Sequence, residues 1–218
     1  MSGCYDAGAQ SLTTGPSLRY YFITNVRYKI MPKIVDHEEY RKELLGKAFE
    51  CFAARGYGQV TMRGLSEHLE VSTGTLYHYF SSKEQIFEDL VTFQADHDLR
   101  IVAELPTPPS LDERMIVLIN KIVEYRTYLT EQCMVWLDFA RQHGDERLFS
   151  MPAVQRAYSQ YMQFLKEYLA LEDDEAAMFV YSYLCGFSTD PYVQQMNLDI
   201  RRQCQLISDA VRRYSKLK

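Results

Sequence analysis

Apolar positions recur along the chain at intervals of three and four residues, the spacing typical of amphipathic helices. Beyond residue 30, no alternating pattern predicts a strand of convincing length, so we predict an all-α fold. Asp36 can cap the first helix and Gly56 can end it. The predicted helices span residues 36–55, 61–69, 72–80, 82–102, 110 or 112 to 129, 131–143, 144–171, 176–187, and a last one from Pro191 onward.

The most informative segment is residues 60–83, which reads VTMRGLSEHLEVSTGTLYHYFSSK. Thr61 is a good N-cap for a helix of about two turns, and Ser72 is a second N-cap shortly afterwards. In the second helix Leu76 and Phe80 share a face that can pack on the first. Two short helices joined by a tight turn form a helix-turn-helix, whose second helix, the recognition helix, lies against DNA.

The opposite face of the recognition helix carries hydroxyl and imidazole groups. Thr, Tyr and His side chains can donate hydrogen bonds to phosphate oxygens, and Thr methyl groups and aromatic rings can contact thymine methyls. Gly74 allows the backbone to approach the duplex closely. Either Ser81 with Glu84 or Ser82 with Gln85 fits a capping box for the next helix, which holds Lys83 beside the recognition helix.

These motifs resemble the DNA-binding domain of the tetracycline-repressor (TetR) family of transcriptional regulators. The resemblance runs from about residue 38 to residue 91, and it is architectural beyond that. The positions that carry it are Gly56-Tyr57, Thr61, Leu65, residues 71–80 (VSTGTLYHYF) and Lys83-Glu84. The resemblance implies an N-terminal three-helix helix-turn-helix domain followed by a C-terminal helical bundle that binds ligand and dimerises.

The resemblance also implies roles for individual residues. Thr61 would cap the second helix and touch phosphate, and His78 would face the groove. The groove-facing start of the third helix would hold Ser72, Thr73, Gly74 and Thr75. The phosphate contacts would come from Tyr77, Tyr79 and Lys83, with Arg63 as a weaker assignment. For the tyrosines the alternative is packing between helices, and for Lys83 it is a solvated helix start.

The charge balance of this region is unusual for a DNA-binding domain. The 218-residue chain has a formal net charge of −5, and residues 33–98 hold seven Lys and Arg against twelve Asp and Glu. A broad basic patch is therefore absent from the sequence, and phosphate contacts would depend on hydroxyls, backbone amides and helix ends. We expect weak nonspecific DNA affinity and a shallow dependence of binding on salt.

The chain divides into three predicted parts. Residues 1–30 are a leader or N-terminal extension, predicted to be disordered; residues 31–84 form the DNA-binding domain (helix-turn-helix 61–80), and residues 85–218 form the regulatory domain. Met31-Pro32-Lys33 is typical of a domain start. The alternative for the first part is a basic arm that reaches a minor groove. That arm would use Arg19, Arg27, Lys29 and Lys33.

Other chemistries find little support in the sequence. The five Cys and five His residues are scattered, and neither a zinc spacing nor a catalytic motif occurs, so we expect neither an enzyme nor a cofactor. Asp96-His97-Asp98 are adjacent helical residues that point in different directions and cannot converge on a metal ion. No run of eighteen apolar residues predicts a membrane span, and we expect a cytoplasmic protein.

The last two predicted helices indicate a homodimer. Residues 176–187 are apolar almost all round, and the final helix carries an apolar seam, so two copies of the pair would form a four-helix interface. The alternative is that helices of the same chain cover both. The predicted interface residues are Ala177, Val180, Tyr181, Leu184, Val193, Met196, Ile200, Cys204, Ile207 and Val211.

The middle helices of the larger domain carry many aromatic and soft side chains. Helical bundles hold ligands between facing helices, and few Lys or Arg residues point inward here, so the predicted effector is an apolar or aromatic small molecule. The predicted pocket residues are Tyr125, Tyr128, Met134, Trp136, Phe139, Tyr158, Tyr161 and Met162.

Together these features predict a homodimeric regulator, more often a repressor in this family, that binds a palindromic operator in double-stranded DNA and releases it when an unknown small molecule binds. The alternative is a ligand-binding or interaction protein of the same fold that has lost DNA binding. The acidic character of residues 33–98 is its only support.

Overall fold

A computed structural model describes residues 36–190 and 199–216. The part of the chain so described is helical and holds no strand, in agreement with the all-α prediction. The predicted N-terminal extension, together with Val193 and Met196, lies outside the described residues. The helices are α1 (His37–Arg55), α2 (Met62–His68), α3 (Thr73–Tyr79), α4 (Lys83–Ala103), α5 (Leu111–Glu124), α6 (Arg126–His143), α7 (Asp145–Ser150), α8 (Pro152–Leu169), α9 (Asp174–Thr189) and α10 (Ile200–Ser215).

The caps of the small domain lie where the sequence predicts them. The Asp36 side chain accepts hydrogen bonds from the first turn of α1, and Gly56 ends that helix at a φ of 80°. Thr61 caps α2, and Ser72 caps α3. Between α1 and α2 a 3-10 turn spans Tyr57–Gln59. The core of this domain consists of fully buried side chains, including Leu44, Phe49, Phe52, Leu65, Leu76 and Phe80.

Helix α4 connects the two domains without a break. Of the two predicted capping boxes, only the Ser82 position caps α4, because its Oγ accepts the N–H of Gln85 at 3.0 Å. With 21 residues the helix is about 30 Å long. It packs on α1 at one end and along α8 at the other. A displacement of α4 in the larger domain would therefore reach α1 of the small domain.

Two predicted boundaries in the larger domain are wrong. The helix expected to end near residue 129 ends at Glu124, and α6 begins at once after Tyr125, whose φ of −97° and ψ of 10° break the helix without Gly or Pro. The expected segment 144–171 is split at Met151, because Pro152 lacks an N–H and begins α8. The last described helix begins at Ile200 after the Asp199 cap, and the predicted start at Pro191 lies outside the described residues.

The two domains share one apolar core. The ring of Phe139 on α6 stacks on the ring of Phe87 on α4 with centroids 4.0 Å apart, and it also contacts Tyr57. A second cluster joins α5, α8, α9 and α10 around Met115, Ile119 and Ala177. The small domain therefore packs directly on the bundle through this apolar cluster.

Candidate DNA interface, ligand cavity and dimer face

The turn between α2 and α3 is held by a Schellman motif. The N–H of Glu70 donates to the Glu67 carbonyl at 3.3 Å, and the N–H of Val71 donates to the Ser66 carbonyl at 3.0 Å. Glu70 occupies the left-handed position with a φ of 57°, which costs about 1–2 kcal/mol for a residue with a side chain. The surrounding contacts therefore fix the angle between the two helices.

Helix α3 presents its polar face outward because its apolar face is buried. Leu76 and Phe80 are at most 1% exposed, whereas Tyr77 is 54% exposed. Thr73, Gly74 and His78 are also exposed. Ser72 Oγ accepts the N–H of Thr75 at 2.9 Å and lies 2.8 Å from Thr75 Oγ1. The first turn is thus ordered before any ligand binds.

Tyr79 has partners within the protein. Its hydroxyl lies 3.1 Å from Nδ1 of His37 in a hydrogen bond, and its ring meets the edge of Tyr40 at 5.4 Å. His37 also lies 6.0 Å from His78 between ring centroids. The start of α1 therefore borders the exposed face of α3, and His37 is a candidate contact that the sequence analysis missed. No periodicity could have revealed it, since the two residues meet only through the fold.

Lys83 is turned toward the protein. Its ammonium donates to the carbonyl of Tyr57 at 2.9 Å and lies 4.2 Å from the centroid of the Tyr57 ring. Burial lowers the pKa of Lys83. One of the three ammonium N–H groups is thus used inside the domain, and a phosphate contact would use the others. That contact stays a prediction.

The remaining predicted contacts lie on α2. Thr61 Oγ1 accepts the N–H of Gly64 at 3.1 Å, so its hydroxyl proton stays available for a phosphate oxygen. Arg63 Nε donates to Glu67 Oε1 at 3.1 Å, and both side chains are highly exposed. Solvated pairs of this kind contribute little stability, so a phosphate can replace Glu67 as the partner of Arg63.

A cavity of about 590 Å³ lies within the helical bundle, between α4, α5, α6, α8 and α9. Its volume is within the range of small-molecule sites. Apolar and aromatic side chains dominate its wall, among them Ile101, Leu129, Phe164 and Tyr181. Leu137 and Phe149 line the cavity and are also 51% and 63% exposed, which places its opening beside them.

Five of the eight predicted pocket residues line this cavity, namely Tyr125, Tyr128, Trp136, Tyr158 and Tyr161. The other three do not. Met134 is 54% exposed on the outer side of α6. Phe139 is buried in the core between the domains, where it stacks on Phe87, and Met162 belongs to the second core cluster. Helical spacing identified the right helices but did not determine which face of each meets the empty space.

The polar part of the cavity wall centres on Asp98. Its Oδ2 accepts hydrogen bonds from the Tyr161 hydroxyl at 2.7 Å and from Gln132 Nε2 at 3.1 Å. Burial raises the pKa of Asp98 to about 6, although the hydrogen bonds from Tyr161 and Gln132 partly oppose the increase. Burial also raises the pKa of Tyr128 and Tyr161, so both phenols stay neutral.

In the sequence, Asp98 suggests only a metal ligand, a role that the helical geometry of Asp96-His97-Asp98 excludes. Among the described residues no group of three His, Cys, Asp or Glu side chains is placed to hold a metal ion. Helical spacing does indicate that Asp98 faces the bundle, because it follows Leu90 and Gln94 at steps of four on the buried face of α4.

The predicted dimer residues require a correction. Six of them are buried against other helices of their own chain, because one face of α9 and α10 packs on α5 and α8: Ala177, Val180, Leu184, Cys204, Ile207 and Val211. Tyr181 lines the cavity, and Ile200 is partly buried. An apolar seam shows that a face is covered but does not show by which chain. The outer face of the same two helices instead exposes Met178, Phe179 and Leu206, each by about half.

Known proteins resemble this chain most clearly in the small domain. Residues 44–90 match the family model described as bacterial regulatory proteins, tetR family. The HTH-type transcriptional repressor AcnR of Corynebacterium jeikeium is 34% identical over 96 residues, which are 43% of this chain and 47% of that protein. The repressor KstR2 of Mycolicibacterium smegmatis is 31% identical over 106 residues, 48% of this chain and 52% of that protein. The chain thus spans about half the length of these relatives.

Solved structures match the whole helical architecture. GusR of Salmonella enterica superposes with a TM-score of 0.65 at 17% identity, covering 83% of this chain and 100% of that one. FadR of Bacillus subtilis, solved in complex with stearoyl-CoA, has a TM-score of 0.57 at 16% identity and covers 79% of this chain and 97% of that one. These matches show a shared fold. None of the described helices combines the length and apolar content needed to cross a bilayer.

Proposed function

Because this chain belongs to the TetR family of bacterial regulatory proteins, we propose that it is a homodimeric transcriptional repressor that leaves its operator when a small ligand enters the bundle. The observation that carries this proposal is the outward polar face of α3. Thr73, Tyr77 and His78 are exposed there, while Leu76 fixes the helix from behind. A helix anchored in this way can lie in a major groove and place its hydroxyl and imidazole groups against DNA.

Helix α4 supplies the connection between cavity and DNA. Its first residue, Lys83, contacts the 3-10 turn of the DNA-binding domain, and Asp98, Ile101 and Val102 near its other end line the cavity. A ligand that binds more tightly when α4 is in one position increases the population of that position at the expense of the other. The same fold in FadR of Bacillus subtilis was solved with stearoyl-CoA, which supports a ligand-holding role for the larger domain.

The proposed dimer uses the exposed outer face of α9 and α10. Met178, Phe179 and Leu206 are large apolar side chains about half exposed on adjacent helices. On the same outer side, a Cβ added to the exposed Gly186 would meet no atom within 4 Å, so a second helix can approach closely there. Two copies would then place their α3 helices about one turn of DNA apart on a palindromic site.

The dimer is tested by the molar mass of the protein in solution. We expect wild type to elute as a dimer in light-scattering chromatography and the variant Phe179→Asp/Leu206→Asp to elute as a monomer with unchanged helical content. Met134→Asp is a matched control, since Met134 is equally exposed on α6, away from that face. A monomeric wild type, or a double variant that stays dimeric, would exclude this interface.

DNA binding is tested with fragments flanking the chain's own gene, compared with unrelated DNA of equal length. We expect a sequence-dependent mobility shift at moderate salt. The slope of log affinity against log salt should be shallow, because Arg63 and Lys83 are the only Lys or Arg residues between Thr61 and Lys83, and both already have protein partners. A shift with neither fragment would favour the alternative, a ligand-binding protein of this fold without DNA binding, which the acidic small domain supports.

A further inference from the structure

The cavity wall is mostly apolar, and its few charged groups are unevenly paired. Of the described residues that line it, Asp98 and Lys121 alone are charged. Lys121 already has a carboxylate partner, since its ammonium lies 2.7 Å from Oε2 of Glu124. Asp98 has no cationic partner among the described residues, and its neighbours Tyr161, Gln132 and Tyr128 are neutral. The interior thus offers a ligand one uncompensated carboxylate.

The geometry of Asp98 leaves room for a ligand atom. The hydrogen bonds from Tyr161 and Gln132 both end on Oδ2. The Tyr128 hydroxyl also hydrogen-bonds to this carboxylate. An ionised carboxylate has about four lone-pair sites, so at least one acceptor site remains for a group inside the cavity. A carboxylate in such surroundings is costly to ionise, and the raised pKa of Asp98 reflects that cost. A cation beside this carboxylate would stabilise its ionised form in place of the water that burial excludes.

The aromatic side chains around the cavity favour the same kind of ligand. Tyr125, Tyr128, Trp136, Tyr161 and Tyr181 all contribute to the wall. The faces of aromatic rings attract cations, and this attraction is larger where water is excluded. The same rings provide a large apolar surface for the rest of the molecule.

We propose that the cavity binds an amphipathic amine, a molecule with an aromatic or aliphatic body and one protonated nitrogen that donates to Asp98. This inference deepens the proposed function, on which it rests, by naming the chemical class of the effector. It disfavours anionic ligands, because a carboxylate or phosphate entering the cavity would face Asp98 without a free cation. It also disfavours sugars, because the wall offers few polar partners for several hydroxyl groups.

The test uses three probes that share one body: 4-phenylbutylamine, 4-phenylbutanol and 4-phenylbutyrate. Binding is followed by quenching of Trp136, the only tryptophan of the chain, and by calorimetry, with no DNA present. We expect the amine to bind at least about tenfold more tightly than the alcohol, the gain typical of a charge-assisted hydrogen bond, and the acid to bind most weakly. Equal affinities of amine and alcohol, tighter binding of the acid, or no binding by any probe would overturn the proposal.

Two variants locate the interaction. Asp98→Asn keeps the shape of the side chain and should reduce the affinity for the amine to that for the alcohol. Asp96→Asn, an exposed position on the same helix, is the matched control and should leave the order of the three probes unchanged. If Asp98→Asn fails to fold, the comparison of the three probes in wild type still shows whether the cavity prefers an amine. Operator binding by ligand-free wild type is measured separately, so a failure of the amine proposal is distinguishable from a failure of DNA binding.

Discussion

The hydroxyl group of Tyr161 donates a hydrogen bond of 2.7 Å to Oδ2 of Asp98, and this bond joins α8 of the bundle to α4. Asp98 lies on the same continuous helix as Lys83, whose ammonium contacts the DNA-binding domain. The wall of the cavity and the contact with the 3-10 turn therefore lie on one continuous helix. In the proposed function, this relationship would couple ligand binding in the cavity to DNA binding.

Asp98→Asn should make stability less dependent on pH. The pKa of Asp98 is about 6 in the folded protein against an ordinary value of 3.8, so between these values the folded state holds a proton that the unfolded chain has released. The contribution of Asp98 to stability therefore falls as pH rises from about 4 to about 6 and stays low above that. The free energy of unfolding of the variant, relative to that of wild type, should therefore rise by up to about 3 kcal/mol as the pH is raised from 4 to 7.5.

Urea unfolding of both proteins at the two pH values measures this difference. His97 also titrates in this region, with a pKa lowered by burial and by Arg100, but its contribution cancels between wild type and variant. A difference in stability that does not change with pH would contradict the buried, ionisable state of Asp98.

The sequence predicted the small domain well because its signals are local. The caps at Asp36, Thr61 and Ser72 act within three residues of their own position and lie where they were expected, and the cap of α4 lies at Ser82, one of two predicted positions. The break at Tyr125 has no such signal, since neither Gly nor Pro marks it, and only the packing of the folded bundle determines it. For the cavity and the predicted DNA contacts, local signals were again informative and distant contacts were not. Helical spacing placed five aromatic residues near the cavity, whereas the contacts of His37 and Lys83 depend on segments that are distant in sequence.

Gly56→Ala should destabilise the junction of the domains. Gly56 has a φ of 80°, and a Cβ there would lie 2.6 Å from Oδ2 of Asp138 on α6. Backbone strain and the displaced carboxylate together should cost about 2–3 kcal/mol. The measurement is the free energy of unfolding in urea.

Two other glycines separate the effect of backbone strain from that of the contact with Asp138. Gly144→Ala at a φ of 91° meets no atom within 4 Å and should show the strain alone. Gly58→Ala, with its nearest contact at 3.7 Å, should cost least. If Gly56→Ala loses no more stability than Gly144→Ala, the contact with Asp138 is not formed.

Lys83→Met should weaken the fold as well as any contact with DNA. Met keeps the apolar stem against the Tyr57 ring but removes the donor to the Tyr57 carbonyl, which then retains only the 3.3 Å bond from Val60 N–H. The expected loss is about 1 kcal/mol of unfolding free energy. Lys42→Met removes an exposed pair with Glu39 and should change stability little. An unchanged stability of Lys83→Met together with weaker DNA binding would assign Lys83 to phosphate alone.

The most direct test of the account is operator binding by Tyr77→Ala/His78→Ala. Both side chains are exposed on α3 and make no contribution to its buried face, so the variant should keep wild-type helical content and stability. We expect its affinity for the DNA fragment that wild type recognises to fall at least about tenfold, toward its affinity for unrelated DNA. Met134→Ala, exposed on α6, should bind as wild type does. A folded double variant that binds the fragment with wild-type affinity would contradict the assignment of α3 as the recognition helix.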